Sequence, residues 1–199
     1  MILYHNTMST QNIQSIIESS IAVKQQYVSD AAFLDKINVA VSLVAKAFTN
    51  GHKVQFCGNG GSAADAQHLA AEFSGRFYKN RKALPSDALH CNSSYLTAVA
   101  NDYSYDDIYS RLVEGTMYKG DVLIGISTSG NSGNIVKAFE MAKSMGIVTI
   151  GFTGSAGGKM SELSDVLINV PSTDTPRIQE SHILIGHIIC ELVEAQLFA

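Results

Sequence analysis

The pattern of apolar and polar positions along this chain changes character at Gly51. Over residues 9–50 apolar residues recur at three- and four-residue spacing, in NIQSIIESSIAVKQQYV and again in DAAFLDKINVAVSLVAKAFTN. That period marks helices with one buried stripe and predicts two of them. Gly51 follows, where a left-handed residue ends a helix. Beyond it come the short runs KVQFCG, DALHC, DVLIGIS, IVTIGFT and DVLINV, most of them apolar throughout. Helical stretches separate them, at 62–77, 93–100 with 106–117, 131–145 and a short 157–163, and a last helix covers 176–197. Strands apolar on both faces, alternating with helices, predict a parallel sheet covered on both sides. The expected fold class is α/β, a flavodoxin-like three-layer sandwich with a five-stranded parallel sheet and an N-terminal helical hairpin. Such sheets bind ligands beyond the carboxyl ends of their strands. Here those ends are the CGNGGS loop, Asn92–Ser94, Ser127–Ser132 and Thr153–Gly158.

Composition narrows the picture. The chain has 199 residues, 46% hydrophobic and 16% charged, which suits one domain with a sizeable core. A net charge of -4 carries no basic footprint for nucleic acid. Three scattered cysteines, at 57, 91 and 190, predict a reduced, cytoplasmic protein. No apolar run approaches the ~18 residues of a membrane span. The leading MILYHNTM lacks the basic region and long apolar core of a signal peptide, and Met8 stands as an alternative start.

Two Gly-rich loops carry candidate chemistry. The segment ISTSGNSGNIVKAF (126–139) closes the third strand and opens a helix. Ser127, Thr128, Ser129 and Ser132 supply hydroxyls, and a helix N-terminus supplies N–H groups, a suitable cradle for a phosphate. The loop holds no Lys or Arg, unlike a nucleotide-binding P-loop, and GxGxxG is absent. One phosphate and many hydroxyls fit a sugar phosphate better than a nucleotide. The alternative is that these are ordinary turn and capping residues. His68 and Glu72, four apart, share a helix face. Gln179 and His187 lie among Ile178, Ile183, Leu184, Ile188 and Ile189 on the last helix. Each polar residue could be a satisfied structural group. Together beside a phosphate cradle they would act as acid and base or hold a divalent metal.

At CGNGGS (57–62), AQHLAAEFSGRF (66–77), AND (100–102), ISTSGNS (126–132) and RIQESH followed by His187, the chain resembles the bacterial phosphoheptose isomerases, over nearly its whole length. These belong to the wider sugar isomerase (SIS) domains, and the resemblance implies a single such domain over 1–199. Residues 1–50 would be helices used in oligomerisation and 51–199 the α/β core. It implies conversion of sedoheptulose 7-phosphate to D-glycero-D-manno-heptose 7-phosphate, the entry to nucleotide-activated heptose and so to lipopolysaccharide. It implies Glu72 and His187 as the catalytic pair. One zinc per subunit would be held by His68, Glu72, Gln179 and His187. Substrate contacts would come from Asn59, Gly60, Gly61, Ser62, Glu72, Arg76, Asn101, Asp102, Ser127, Thr128, Ser129, Ser132 and Gln179. Ala63-Ala64 departs from the family, whose members often carry bulkier or polar residues there. A DnaA-binding replication regulator of the same fold is the alternative function, but it lacks the full catalytic set.

Assembly has its own signal. Gln179 and His187 are eight apart, about 12 Å along a helix and ~80° around it. Either Gln179 precedes regular helix, or the two residues serve different copies of the site. The last helix is also apolar on more than one stripe, with Ile178, Ile183, Leu184, Ile185, Ile188, Ile189, Leu192 and Val193. A homotetramer with sites at subunit interfaces is expected, with a sugar phosphate as ligand and neither nucleic acid nor membrane as partner.

Overall fold

The computed structural model describes residues 10–198, so the reading of residues 1–8, Met8 included, lies outside the described residues. Helices α1 (Thr10–Val28) and α2 (Ala31–Thr49) form the expected hairpin. Asp30 caps α2 by accepting from the Ala32 and Phe33 N–H groups, at 3.0 and 3.1 Å. Its other end closes on Gly51, at φ 76°, where His52 N–H reaches the Ala47 carbonyl (2.9 Å) and Gly51 N–H that of Phe48 (3.1 Å). Helix α2 buries one full stripe, from Phe33 to Phe48, whereas α1 buries only Val23 and Tyr27.

Then follow β1 (Val54–Gly58), α3 (Gly61–Ser74), β2 (Ser86–Ala88), α4 (Ser93–Asp102), α5 (Ile108–Thr116), β3 (Val122–Ile126), α6 (Gly133–Ser144), β4 (Val148–Thr153), α7 (Met160–Leu163), β5 (Val166–Asn169) and α8 (Thr175–Leu197). The five strands pair in parallel in the order β2-β1-β3-β4-β5. Alternate residues feed two cores. Val122, Ile124 and Ile126 join the core under α2, α3 and α8, and Leu123 joins the one under α5 and α6. Strand order reverses between β1 and β3, with Gly58 opposite Ile126. The loops leaving these two strands therefore diverge across one crevice, the place where such sheets bind ligands.

Three elements are shorter than their patterns suggest. The helix expected over 62–77 ends at Ser74, where Gly75 N–H closes on the Ala71 carbonyl (2.8 Å). In DALHC the strand stops at Ala88, because Cys91 N–H turns back to the Ala88 carbonyl and Asn92 caps α4. The helix expected over 157–163 begins only at Met160, since Gly157 and Gly158 both take positive φ, 70° and 56°. Among the described residues no helix is long and apolar enough to cross a membrane.

Candidate active site

The crevice between β1 and β3 is built first by hydroxyls. Ser127, buried at the end of β3, places its Oγ 3.0 Å from that of Ser132 and 3.5 Å from that of Ser129. Ser132 is the N-cap residue of α6, yet its side chain makes no capping bond, so the N–H groups that open α6 carry no side-chain cap where the loop leaves β3. Gly130 turns at φ 66° and lies so close to Gly157 that a Cβ would sit 2.0 Å from its carbonyl oxygen. Only glycine fits there, and the contact braces this loop against the one after β4. Gly154 N–H adds a bond to the Thr128 carbonyl (2.9 Å).

Asn59 joins the two loops. Its side-chain amide exchanges hydrogen bonds with that of Asn134 on α6, at 2.9 and 2.8 Å, and accepts from the Tyr105 hydroxyl at 3.1 Å. Asn134 is buried. The Asn59 side chain thus serves as a brace, and what the GNGG segment offers a ligand is chiefly backbone. Ser62 is buried at the start of α3, beneath the loop rather than on its surface. Asn101 and Asp102 end α4, exposed and bonded to each other at 2.9 Å. They stand just before the turn that carries Tyr105.

The second group lies two turns along the helices. α3 and α8 run side by side in the same direction. A Cβ at Gly61 would meet the Gln179 amide nitrogen at 2.9 Å, and one at Gly186 would meet Leu69 at 2.4 Å. His68 on α3 and His187 on α8 point their Nε2 atoms at each other, 2.9 Å apart, with Glu72 Oε1 3.4 Å from His68 Nε2. All three ligand atoms lie within 4.8 Å of one another. Bonds of ~2.0–2.2 Å at tetrahedral angles place donor atoms about 3.3–3.6 Å apart; the His68–Glu72 separation falls in that range and the two imidazole nitrogens are closer, and two nitrogens with a carboxylate oxygen are a donor set that zinc takes. Arg76 is exposed on the segment after α3, and the Phe77 ring lies beside His187, centroids 5.8 Å apart and tilted by 37°.

Gln179 does not join this group within one chain. It lies in regular helix, since α8 begins at Thr175, and it sits at Gly61, seven residues and about 10 Å up α3 from His68. The expected single site of His68, Glu72, Gln179 and His187 is therefore divided. Gln179 belongs to the crevice edge, and the other three form a cluster further down the same helix seam.

Several residues here escaped sequence reasoning. Asp65 lies on the seam between the two groups. Burial pushes its carboxyl above the ordinary range, and the His68 and His187 imidazoles pull the other way. His182 is fully buried, donates from Nε2 to the Thr153 carbonyl (3.1 Å), and has its pKa pushed by burial down to about 4. Glu194, also buried, accepts from three backbone N–H groups and from Arg81. Burial raises its pKa, but those donors outweigh it and hold the carboxyl below its usual value. Asn134 alone had a visible signal, as the second Asn of SGNSGN.

Known proteins match this chain in sequence and fold. The SIS domain family matches residues 12–154. The phosphoheptose isomerase of Clostridium acetobutylicum is 53% identical over 186 residues, covering 94% of this chain and 95% of its own. That of Aneurinibacillus thermoaerophilus is also 53% identical, covering 94% of each. The solved structure of the phosphoheptose isomerase from Neisseria gonorrhoeae matches with a TM-score of 0.87 at 39% identity, over 93% of this chain and 98% of that one. With the fold, the length and more than half of the aligned residues in common, the chain belongs to the phosphoheptose isomerase family of SIS-domain proteins.

Proposed function

We propose that this chain isomerises sedoheptulose 7-phosphate to D-glycero-D-manno-heptose 7-phosphate, the first step towards nucleotide-activated heptose for lipopolysaccharide. The observation that carries the reading is the cluster of His68 Nε2, His187 Nε2 and Glu72 Oε1, a half-open acid–base group on two packed helices. Ketose and aldose interconvert through an enediol, which needs one proton moved between neighbouring carbons and others moved among the oxygens. Glu72 transfers the carbon-bound proton, and His187 shuttles protons at O1 and O2. The hydroxyls of Ser127, Ser129 and Ser132, with Thr128 and the α6 N-terminus, hold the phosphate at the far end of the sugar. Asn101 and Asp102 read the hydroxyls between, and Gly60, Gly61 and Gln179 line the path. Arg76 supplies a cation at the rim.

His68, Glu72 and His187 are the residues that would hold one zinc ion per subunit. Zinc there supplies Lewis-acid polarisation of the carbonyl oxygen. Gln179 meets such a centre only across a subunit boundary. This fits a homotetramer whose sites lie between chains. The apolar residues left uncovered support the same assembly. Ile13, Ile16, Ile17, Ile21 and Val28 along α1 are 47–63% exposed, and Leu184 and Leu192 form a second exposed stripe on α8. Residues 1–50 are thus assigned to assembly and 51–199 to the catalytic core, in a cytoplasmic protein. Nothing in the site favours the replication-regulator reading, which lacks the catalytic pair. Turnover of sedoheptulose 7-phosphate, measured with and without a chelator, tests the proposal. Absence of turnover in the metal-loaded protein would overturn it.

A further inference from the structure

The segment after α3 is tied down by one buried ion pair. Glu194 sits on α8 seven residues beyond His187, about 10 Å along the helix and on nearly the same face. Its Oε1 accepts from Phe77 N–H (3.2 Å) and Arg81 Nε (2.8 Å). Its Oε2 accepts from the N–H groups of Tyr78 and Lys79, both at 2.8 Å. Arg81 is equally occupied. Its Nη2 donates to the Glu72 carbonyl (2.7 Å), and its Nη1 donates to those of Phe73 (2.8 Å) and Gly75 (3.3 Å). Both side chains are 2% exposed.

A pair buried this deeply is a weak device for stability alone, since well-packed apolar residues serve as well or better. What it does secure is position. The guanidinium ends α3 at the turn that carries Glu72. The carboxylate holds the 77–79 backbone against α8, which places the Phe77 ring on His187. We propose that Arg81 and Glu194 are positioning residues that set the spacing of Glu72 and His187 without touching substrate. This inference rests on the reading that Glu72 and His187 do the chemistry.

The test uses full-length Glu194→Gln and Arg81→Lys, the second keeping the charge but losing the fork of donors. Steady-state kinetics on sedoheptulose 7-phosphate and Co(II) titration followed by the visible ligand-field spectrum are read alongside circular dichroism. The expected result in folded variants is kcat lower by ten- to a hundred-fold, with Co(II) affinity weaker by a similar factor. KM stays within about two-fold, because the Ser127–Ser132 cradle is untouched. A folded variant with wild-type kcat and wild-type Co(II) affinity overturns the proposal. So does a loss of activity that follows only the unfolded fraction. If Glu194→Gln does not fold, the Arg81→Lys values decide by the same criteria. If wild type turned over no heptose phosphate, the functional reading would fail, and the Co(II) arm would still decide the clamp.

Discussion

Mild acid should loosen this protein through one buried imidazole. His182 is fully buried and faces the Thr153 carbonyl, a group that only accepts, so Nε2 carries the proton and Nδ1 is bare. Among the described residues Nδ1 has no hydrogen-bond partner. Protonating it would create a buried N–H donor and a buried charge together, which is why the pKa is pushed from 6.5 down to about 4. The unfolded chain has no such obstacle and takes the proton near the ordinary value. The unfolded state therefore binds more protons between those two values, and stability falls as pH falls through that window. At 1.36 kcal/mol per pKa unit the full loss is about 3 kcal/mol, with roughly 2 kcal/mol of it already present at pH 5 relative to pH 7. The depressed carboxyl of Glu194 works lower. Its contribution is complete above the unfolded Glu value of ~4.3 and is lost only as pH drops below that towards its folded value.

The assay is urea unfolding followed by circular dichroism at pH 7, 6 and 5, at one fixed protein concentration so that assembly adds no pH trend of its own. Wild type and His182→Gln are compared. Glutamine still donates to Thr153 but does not titrate. The expected outcome is a steeper loss for wild type, so that the gap between the two proteins narrows by about 2 kcal/mol from pH 7 to pH 5. Parallel curves would refute the reasoning, because every other titrating group is common to both chains. The effect bears on the site. Gly154, next after Thr153, bonds the Thr128 carbonyl in the phosphate loop.

Other outcomes follow from the same geometry. Glu72→Gln keeps shape and removes the base, so kcat should fall on the order of 10²–10⁴-fold with modest change in KM, and near-normal turnover would cancel the assignment. Ser132→Ala removes a hydroxyl that faces Ser127 rather than capping α6, so it should raise KM for the phosphorylated sugar while leaving unfolding temperature within a degree or two. An equal effect on an unphosphorylated heptose would place the anchor elsewhere. Mixing inactive Glu72→Gln and His187→Asn chains after dissociation should leave the oligomer inactive if each cluster is whole within one chain. Mixing inactive Gln179→Ala with His187→Asn should restore activity if Gln179 serves a neighbour's cluster. Lack of recovery in the second mixture would confine the site to single chains.

The fold was legible because its signals were redundant. Each strand of the sheet except β2 was a short apolar run bounded by Gly or by a helical period, and the switch from helical to strand period at Gly51 coincides with a hydrogen-bonded helix stop. Even the ends of the elements were set locally, by Asp30, Asn92 and Gly51. Two kinds of feature failed to show. One is local competition: the strand DALHC is cut short by the turn into α4, two local structures claiming the same residues. The other is what long-range geometry alone decides. The Asn59–Asn134 pair joins residues 75 apart in sequence, and Arg81–Glu194 joins residues 113 apart. No periodicity marks an acidic residue as buried, since a Glu at that place in a helix ordinarily faces water.

The candidate site divides along the same line. Residue types at strand ends were readable, because strand topology carries Ser127–Ser132 and Asn59–Gly61 to one crevice whatever their neighbours. The pairing of His68 with Glu72 was readable from the helix period, and His187 meets them because α3 and α8 run in parallel register. That register also explains the failure of Gln179. Two parallel helices in contact carry matching rungs: Gly61 faces Gln179, Leu69 faces Gly186, and His68 faces His187. A residue eight positions up α8 must face a rung about eight positions up α3, and Gln179 does so at Gly61. The pitch of one helix excludes Gln179 from the cluster of its own chain, and the lateral packing of the second helix gives it a different neighbour there. A catalytic role for Gln179 together with His187 therefore carries a second chain within it, and the exposed apolar stripes of α1 and α8 are the surfaces on which that chain would sit.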